Sequence, residues 1–193
     1  MSHAECLREI LAEPLGYLHP QRLTVAPGFD GPQARTLLNR IVLEGLELQG
    51  LELQGAWPST PLTAVANQWV LHWRQLPCIA RLMGAHRLMP ELARGAALRS
   101  LPMPLRRFAG IHLRDRRSLP IERSPVSMEQ VEAAGLNALW SWHEQIPPML
   151  LERLPLQFSE PVVRLYRQWP VSKPDTALFF LAVQHARRYP NPD

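Results

Sequence analysis

The sequence predicts a mainly α-helical protein: one compact domain over residues 1–193, made of short helices with at most a minor strand element. Three observations predict it. Leu, Ala, Arg, Glu and Gln dominate, while alternating runs of Val, Ile, Thr and Tyr are scarce, which favours helix over sheet. Apolar residues recur at spacings of three and four, as in Leu62, Val65, Trp69, Trp73 and Leu76. The 20 prolines fall largely at the edges of such stretches. Proline is well above its usual share of roughly 5%, and it both starts and stops helices.

Taken in order, a first helix is expected over Ala4–Ala12, with Cys6, Leu7, Ile10 and Leu11 on one side and Pro14 as its stop. Gly16–Pro32 reads as loop because Pro20, Pro27, Gly28, Gly31 and Pro32 break it. A second helix is expected from Gln33 to about Glu47, with Leu37, Leu38, Ile41 and Val42 inward. The direct repeat LELQG-LELQG over 46–55 has a period of five, which fits neither a helix face nor a solenoid unit, and reads as a local duplication. Thr60 and Pro61 form a candidate helix start. Pro77 then opens a helix with Ile79, Leu82, Met83, His86 and Met89 inward, and Pro90 restarts the pattern through Leu92, Ala93, Ala96 and Ala97.

Residues 118–126 read as a linker and a candidate subdivision of the domain. After it, Ser127 and Gln130 form a capping box, with Val126 and Val131 as its hydrophobic staple. That helix is expected to run to about Gln145, just before Pro147, burying Val131, Leu136, Leu139, Trp142 and Ile146. A short helix through Met149–Leu154 follows. Residues 155–170 fit a helix or an edge strand. The last helix is expected over Asp175–Arg188, with acid at its start and Arg187 and Arg188 at its end, as the helix dipole favours.

Composition removes several classes. A chain that is 46% hydrophobic and 20% charged is not disordered, and two cysteines cannot build a disulfide framework or a four-thiolate zinc site. The N-terminus carries Glu5 and Glu9 and lacks the apolar core of a signal peptide, which points to the cytoplasm. The longest uncharged stretch, Leu53 to Trp73, is broken by Pro58 and Pro61 and holds Gln54, Asn67, Gln68 and His72, so no membrane insertion is expected. Neither GxGxxG nor GxxxxGK[ST] occurs, and His143-Glu144 lacks the second histidine of HExxH. His72, Cys78 and His86 are the clustered soft ligands; they straddle a proline break, and a buried, hydrogen-bonded His86 is the better reading than a metal site. Ser141 and His143 point apart on a helix, and Glu129 and Glu132 read as a solvated pair. No catalytic residue, cofactor or metal is expected.

What remains is charge. The net charge of +4 hides a basic middle: residues 61–123 hold eleven of the 20 arginines, between two mildly acidic flanks, and Lys173 is the only lysine. Drawn as a helix, Leu105–Arg117 places Arg106, Arg107, Arg114 and Arg117 within an arc of about 100°, opposite Leu105, Phe108 and His112. Arg99, Arg106, Arg107, Arg114, Arg116 and Arg117 are therefore the candidate partner-binding residues, with Arg123 beyond them. A solvated helix back is the plain alternative. Arginine's planar fork suits carboxylate or phosphate recognition. The alternative functional class is a helical nucleic-acid-binding protein using the basic 99–123 segment; Phe108, placed on the apolar arc, is the single Phe, Tyr or Trp among these arginines, so the interleaved aromatics that single-strand binders require are missing.

Three segments together resemble one family. Pro14-Leu15-Gly16-Tyr17-Leu18-His19-Pro20-Gln21-Arg22-Leu23 is similar to an N-terminal P-x-x-YLHP-x-RL pattern. Trp73-Arg74-Gln75-Leu76-Pro77, continuing through Ala80, Leu82, Met83, Gly84 and Ala85 to Leu101-Pro102 and Leu105-Arg106-Arg107-Phe108, resembles a central WRxLPxxAxLLG junction. Gly135-Leu136 with Leu139, then Leu154-Pro155, is the third. The family is the K component of bacterial type III secretion systems (SctK, YscK/PscK-like). The LELQG repeat and Met83 in place of Leu depart from its pattern. The resemblance implies a mainly helical, non-enzymatic adaptor of the cytosolic sorting platform, peripheral at the inner-membrane secretion base and contributing to virulence. It implies as partners the cytoplasmic domain of the ring protein (the D component), the pod protein (the Q component) and the stator (the L component), and no nucleic acid.

Overall fold

The structure is a computed structural model that describes residues 2–24, 31–45, 62–94, 97–113 and 126–189. Its regular elements are helical throughout the described residues. The α-helices are α1 (His3–Ala12), α2 (Pro32–Gly45), α3 (Ala64–Leu71), α4 (Leu76–Arg87), α5 (Met89–Arg94), α6 (Met103–Ala109), α7 (Met128–Trp140), α8 (Pro148–Arg153), α9 (Glu160–Arg167) and α10 (Thr176–Arg188). Among the described residues no helix is long and apolar enough to cross a membrane. The repeat at 46–55, the Thr60-Pro61 start and most of the 118–126 linker lie outside the described residues. The chain forms two compact units, residues 1–73 with 143–159, and residues 74–142 with 160–193.

In the first unit, Ser2 caps α1 and Glu5 completes a capping box, the Ser2 N–H donating to the Glu5 carboxylate at 2.6 Å. That backbone hydrogen bond holds the Glu5 carboxyl below its usual range. Leu7 and Ile10 are buried, and α1 ends before Pro14. The following segment is held by long-range hydrogen bonds. The Tyr17 hydroxyl donates to the Ile10 carbonyl at 2.8 Å, and its ring stands edge-on to Trp73 with centroids 5.4 Å apart. Burial pushes the Tyr17 phenol well above its ordinary pKa, against the pull of the neighbouring Arg153 guanidinium, so the hydroxyl stays a donor. The His19 N–H donates to the Leu156 carbonyl at 2.8 Å and Arg22 Nε to the Phe158 carbonyl at 2.6 Å. α3 begins at Ala64 with Thr63 as its cap, later than the expected Thr60-Pro61 start; Val65 and Trp69 are buried on it as their spacing predicts, and Trp73 is buried in the 3-10 turn that follows.

One helix of this unit departs from its expected orientation. On α2, Leu37 and Ile41 are 44% and 51% exposed, and the buried residue is Asn39. The Asn39 side-chain oxygen accepts the Leu15 N–H at 2.9 Å. A buried, satisfied amide therefore sets which side of α2 turns inward. Leu38 and Val42 are half-buried with it, so the apolar period marks the helix and half of its covered side, while Leu37 and Ile41 turn outward.

The second unit is built on α4 and α7. Ile79, Leu82, Met83 and His86 are buried on α4 as expected, and Met89 is half-buried. The Ser127–Gln130 capping box starts α7, with both reciprocal hydrogen bonds present, and Val126 and Val131 are both buried. We expect Ser127→Ala to cost about 1 kcal/mol in urea denaturation, since it strips the acceptor from the Gln130 N–H. The helix stops at Trp140, earlier than Gln145, and Ser141–Gln145 form turns; the Ser141 hydroxyl donates to the Ala138 carbonyl at 2.6 Å. Such back-bonding competes with helix continuation. Glu132, expected to be solvated, pairs instead with Arg81 at 2.8 Å. The ambiguous 155–170 stretch contains α9, with Val162, Val163 and Tyr166 buried, and Asp175 caps α10.

Candidate interaction surfaces

The basic segment divides more finely than its sequence suggests. The expected helix over Leu105–Arg117 ends at Ala109: Gly110 is its C-cap, and Ile111–Leu113 are not helical. Gly110 favours termination, and the Ile111 carbonyl lies 3.1 Å from the Nε2 of buried His86. Within the helix the opposition of charge and apolar surface holds. Leu105 and Phe108 are buried, and Arg107 is exposed. His112, expected on the apolar arc, is exposed because the helix has already ended.

The six candidate arginines do not share one environment. Arg99 sits on the exposed side of a 3-10 turn, Ala97–Ser100. Arg106 is half-buried and turns its Nη2 onto the carbonyls of Arg99 and Leu101, at 3.3 and 3.2 Å. It therefore ties the 3-10 turn to α6, while Arg99 and Arg107 are the exposed arginines among the described candidates. Arg114, Arg116 and Arg117, and Arg123 with them, lie outside the described residues. Among the described residues no cluster of His, Cys, Asp or Glu has the makings of a metal site.

A second surface, not foreseen from sequence, lies in the first unit. A cleft of about 580 Å³ is lined by Leu11, Ala12, Glu13, Pro32, Arg35, Thr36, Asn39, Arg40, Leu43 and Arg153. On α2 the lining positions 32, 35, 36, 39, 40 and 43 follow the helical period, so one helix face forms a wall. Arg153 is 2% exposed; its Nη1 donates to the Met149 carbonyl at 3.0 Å, while its Nε has no hydrogen-bond partner. The ion pairs at the rim are long and half-exposed or more, Arg35–Glu13 at 4.0 Å and Arg40–Glu44 at 3.9 Å. The sequence signal for Arg153 is a single arginine inside the run Met149-Leu150-Leu151-Glu152-Arg153-Leu154, which is faint without the fold.

The segments that carry the family resemblance converge within each unit. The first meets the chain just after Leu154-Pro155 through the His19 and Arg22 hydrogen bonds. The central junction meets Gly135 where α4 and α7 cross, with Gly84 set against the Val131 carbonyl. Residues 7–188 match the family described as bacterial type III secretion apparatus protein (OrgA_MxiK). The chain belongs to this family. Its relatives include the oxygen-regulated invasion protein OrgA of Salmonella typhimurium, in strains 14028s, SL1344 and LT2. Each is 34% identical over 185 residues, covering 95% of this chain and 88% of the relative. No solved structure matches. Family membership makes the chain a component of a type III secretion apparatus, with partners inside that apparatus. The residues that carry the resemblance are packing and hydrogen-bonding residues here: Tyr17, His19 and Arg22 tie one unit together, and Gly84 and Gly135 the other.

Proposed function

We propose that this chain is a non-enzymatic adaptor of the cytosolic sorting platform. It links the cytoplasmic domain of the inner-membrane ring protein (the D component) to the pod protein (the Q component), with the stator (the L component) as a further neighbour. It works at the cytosolic face of the inner-membrane base, needs no cofactor and does not bind nucleic acid. The observation that carries the choice of surface is the pair Arg99 and Arg107, exposed beside the buried Leu105 and Phe108. Exposed guanidiniums on an anchored helix and on the 3-10 turn tied to it form a preorganised contact for carboxylates, and such contacts act on association rate and partner choice. The acidic partner is the ring protein's cytoplasmic domain.

The test is a pull-down with purified ring and pod domains, comparing wild type with Arg99→Glu/Arg107→Glu. Arg106 is left intact because it holds two backbone carbonyls. We expect ring binding to fall at least about tenfold, as loss of charge-assisted contacts predicts, with pod binding unchanged. Equal ring binding by the variant would remove the basic surface from the reading. Failure of wild type to bind either domain would remove the adaptor role.

A further inference from the structure

We infer that the cleft between α1 and α2 in the first unit receives an acidic side chain of a partner peptide, clamped by Arg153. The inference does not rest on the adaptor reading or on the Arg99–Arg107 surface. It starts from a buried charge. An arginine side chain cannot shed its proton within a protein, so the Arg153 guanidinium stays cationic although it is 2% exposed. A buried charge is costly unless it is paired and its donors are satisfied. Among the described residues Arg153 forms no ion pair; one nitrogen donates to the Met149 carbonyl, the Tyr17 hydroxyl is a second hydrogen-bonding neighbour, and Nε has no acceptor. Nε itself is shut off from solvent, but Arg153 lines an open cleft, and an anion entering there would draw the guanidinium into a charge pair.

The rest of the cleft selects the anion. Its lining carries three arginines, Arg35, Arg40 and Arg153, against one acid, Glu13, with Glu44 at the rim 3.9 Å from Arg40. Glu13 sits 4.0 Å from Arg35 and is half-exposed, so it does not neutralise the floor. The remaining lining is largely apolar, with Leu11, Ala12, Pro32 and Leu43. At about 580 Å³ the cleft is much larger than an inorganic anion, and falls in the range that holds a peptide segment or a drug-sized ligand. Cationic floor and apolar walls together fit a carboxylate flanked by apolar side chains. In a secretion-apparatus component such an occupant is a segment of a neighbouring protein.

The test follows the Arg153 Nε–H resonance and the α2 amides by NMR in the full chain. The probes are a capped hexapeptide alternating leucine and glutamate, the same peptide with glutamine for glutamate, and inorganic phosphate alone. We expect saturable shifts with the glutamate peptide and binding at least about tenfold weaker with the glutamine peptide, the scale of a lost charge-assisted pair. Arg153→Lys keeps the charge but loses Nε and the fork, and is expected to weaken the glutamate peptide to a similar extent. Arg35→Gln/Arg40→Gln, at exposed positions, serves where Arg153→Lys does not fold, and should weaken it at least about threefold by rim charge alone. Equal binding of the two peptides, or no effect of the arginine substitutions, would overturn the proposal. So would saturation of the same resonances by phosphate at the peptide's concentration, which would assign the site to a free anion.

Discussion

Gly84→Ala is expected to destabilise the second unit by about 3 kcal/mol or more, and Gly135→Ala by a similar amount. These glycines are where α4 and α7 touch backbone to backbone. A Cβ on Gly84 would be driven into the Val131 carbonyl oxygen and lie 2.9 Å from the Gly135 nitrogen. A Cβ on Gly135 would be driven into the Ala80 carbonyl group and lie 2.7 Å from the Ala80 Cα. The obstacles are main-chain atoms, so no side-chain rotation relieves them; the helices must separate, and the buried Ala80, Met83, Val131 and Ala134 lose close packing with them. Gly110→Ala is the control. A Cβ there meets nothing nearer than 3.6 Å, and the backbone is in the right-handed helical region, so alanine should be neutral or stabilising by up to about 1 kcal/mol. Urea denaturation followed by circular dichroism separates the cases. A Gly84→Ala midpoint equal to wild type would show that the two helices do not meet this closely.

The second large effect is expected at Arg87. This residue is 6% exposed, and its Nη1 donates to Asn137 Oδ1 at 3.2 Å, to Ser172 Oγ at 3.1 Å and to the Ala134 carbonyl at 3.5 Å. Asn137, 1% exposed, also donates through Nδ2 to the Pro170 carbonyl at 3.1 Å. The network joins α4, α7 and the Pro170–Ser172 stretch ahead of α10 within one unit. Arg87→Met conserves much of the volume but leaves buried acceptors without their donor, at a cost of about 2 to 4 kcal/mol. Asn137→Ala should cost about as much. Because the two share a hydrogen bond, the double variant should fall short of the summed losses by about 1 kcal/mol or more. Strict additivity in the denaturation cycle would argue that the two side chains do not cooperate.

Both sites show the limit of reading along the chain. Gly84 and Gly135 stand out in the sequence as parts of a family pattern, and the fold supplies their physical purpose, a helix crossing too close for any side chain. Arg87 looks like one more member of a basic middle, yet it is an internal structural cation. Arg106 likewise reads as surface charge and proves to bind its own backbone, while Arg99 and Arg107 remain presented. Composition counts these arginines alike because charge is a property of the residue, whereas exposure belongs to the fold.

By itself the sequence determined the helical class, most helix starts and the family. Ser127 with Gln130, the acid of Asp175 at the start of the last helix, and Pro77 act on backbone groups within a few residues, so their effect is local and legible. Tertiary structure decided which face of α2 is covered, what the chain meets where the helix carrying Arg106 ends, and that buried Arg153 lines a cleft. Each of these turns on partners far away in the chain: Leu15 for Asn39, His86 beside Ile111, and Tyr17 beside Arg153. Periodicity reports that a helix has an apolar side; burial and hydrogen-bond satisfaction, which are non-local, decide what that side meets.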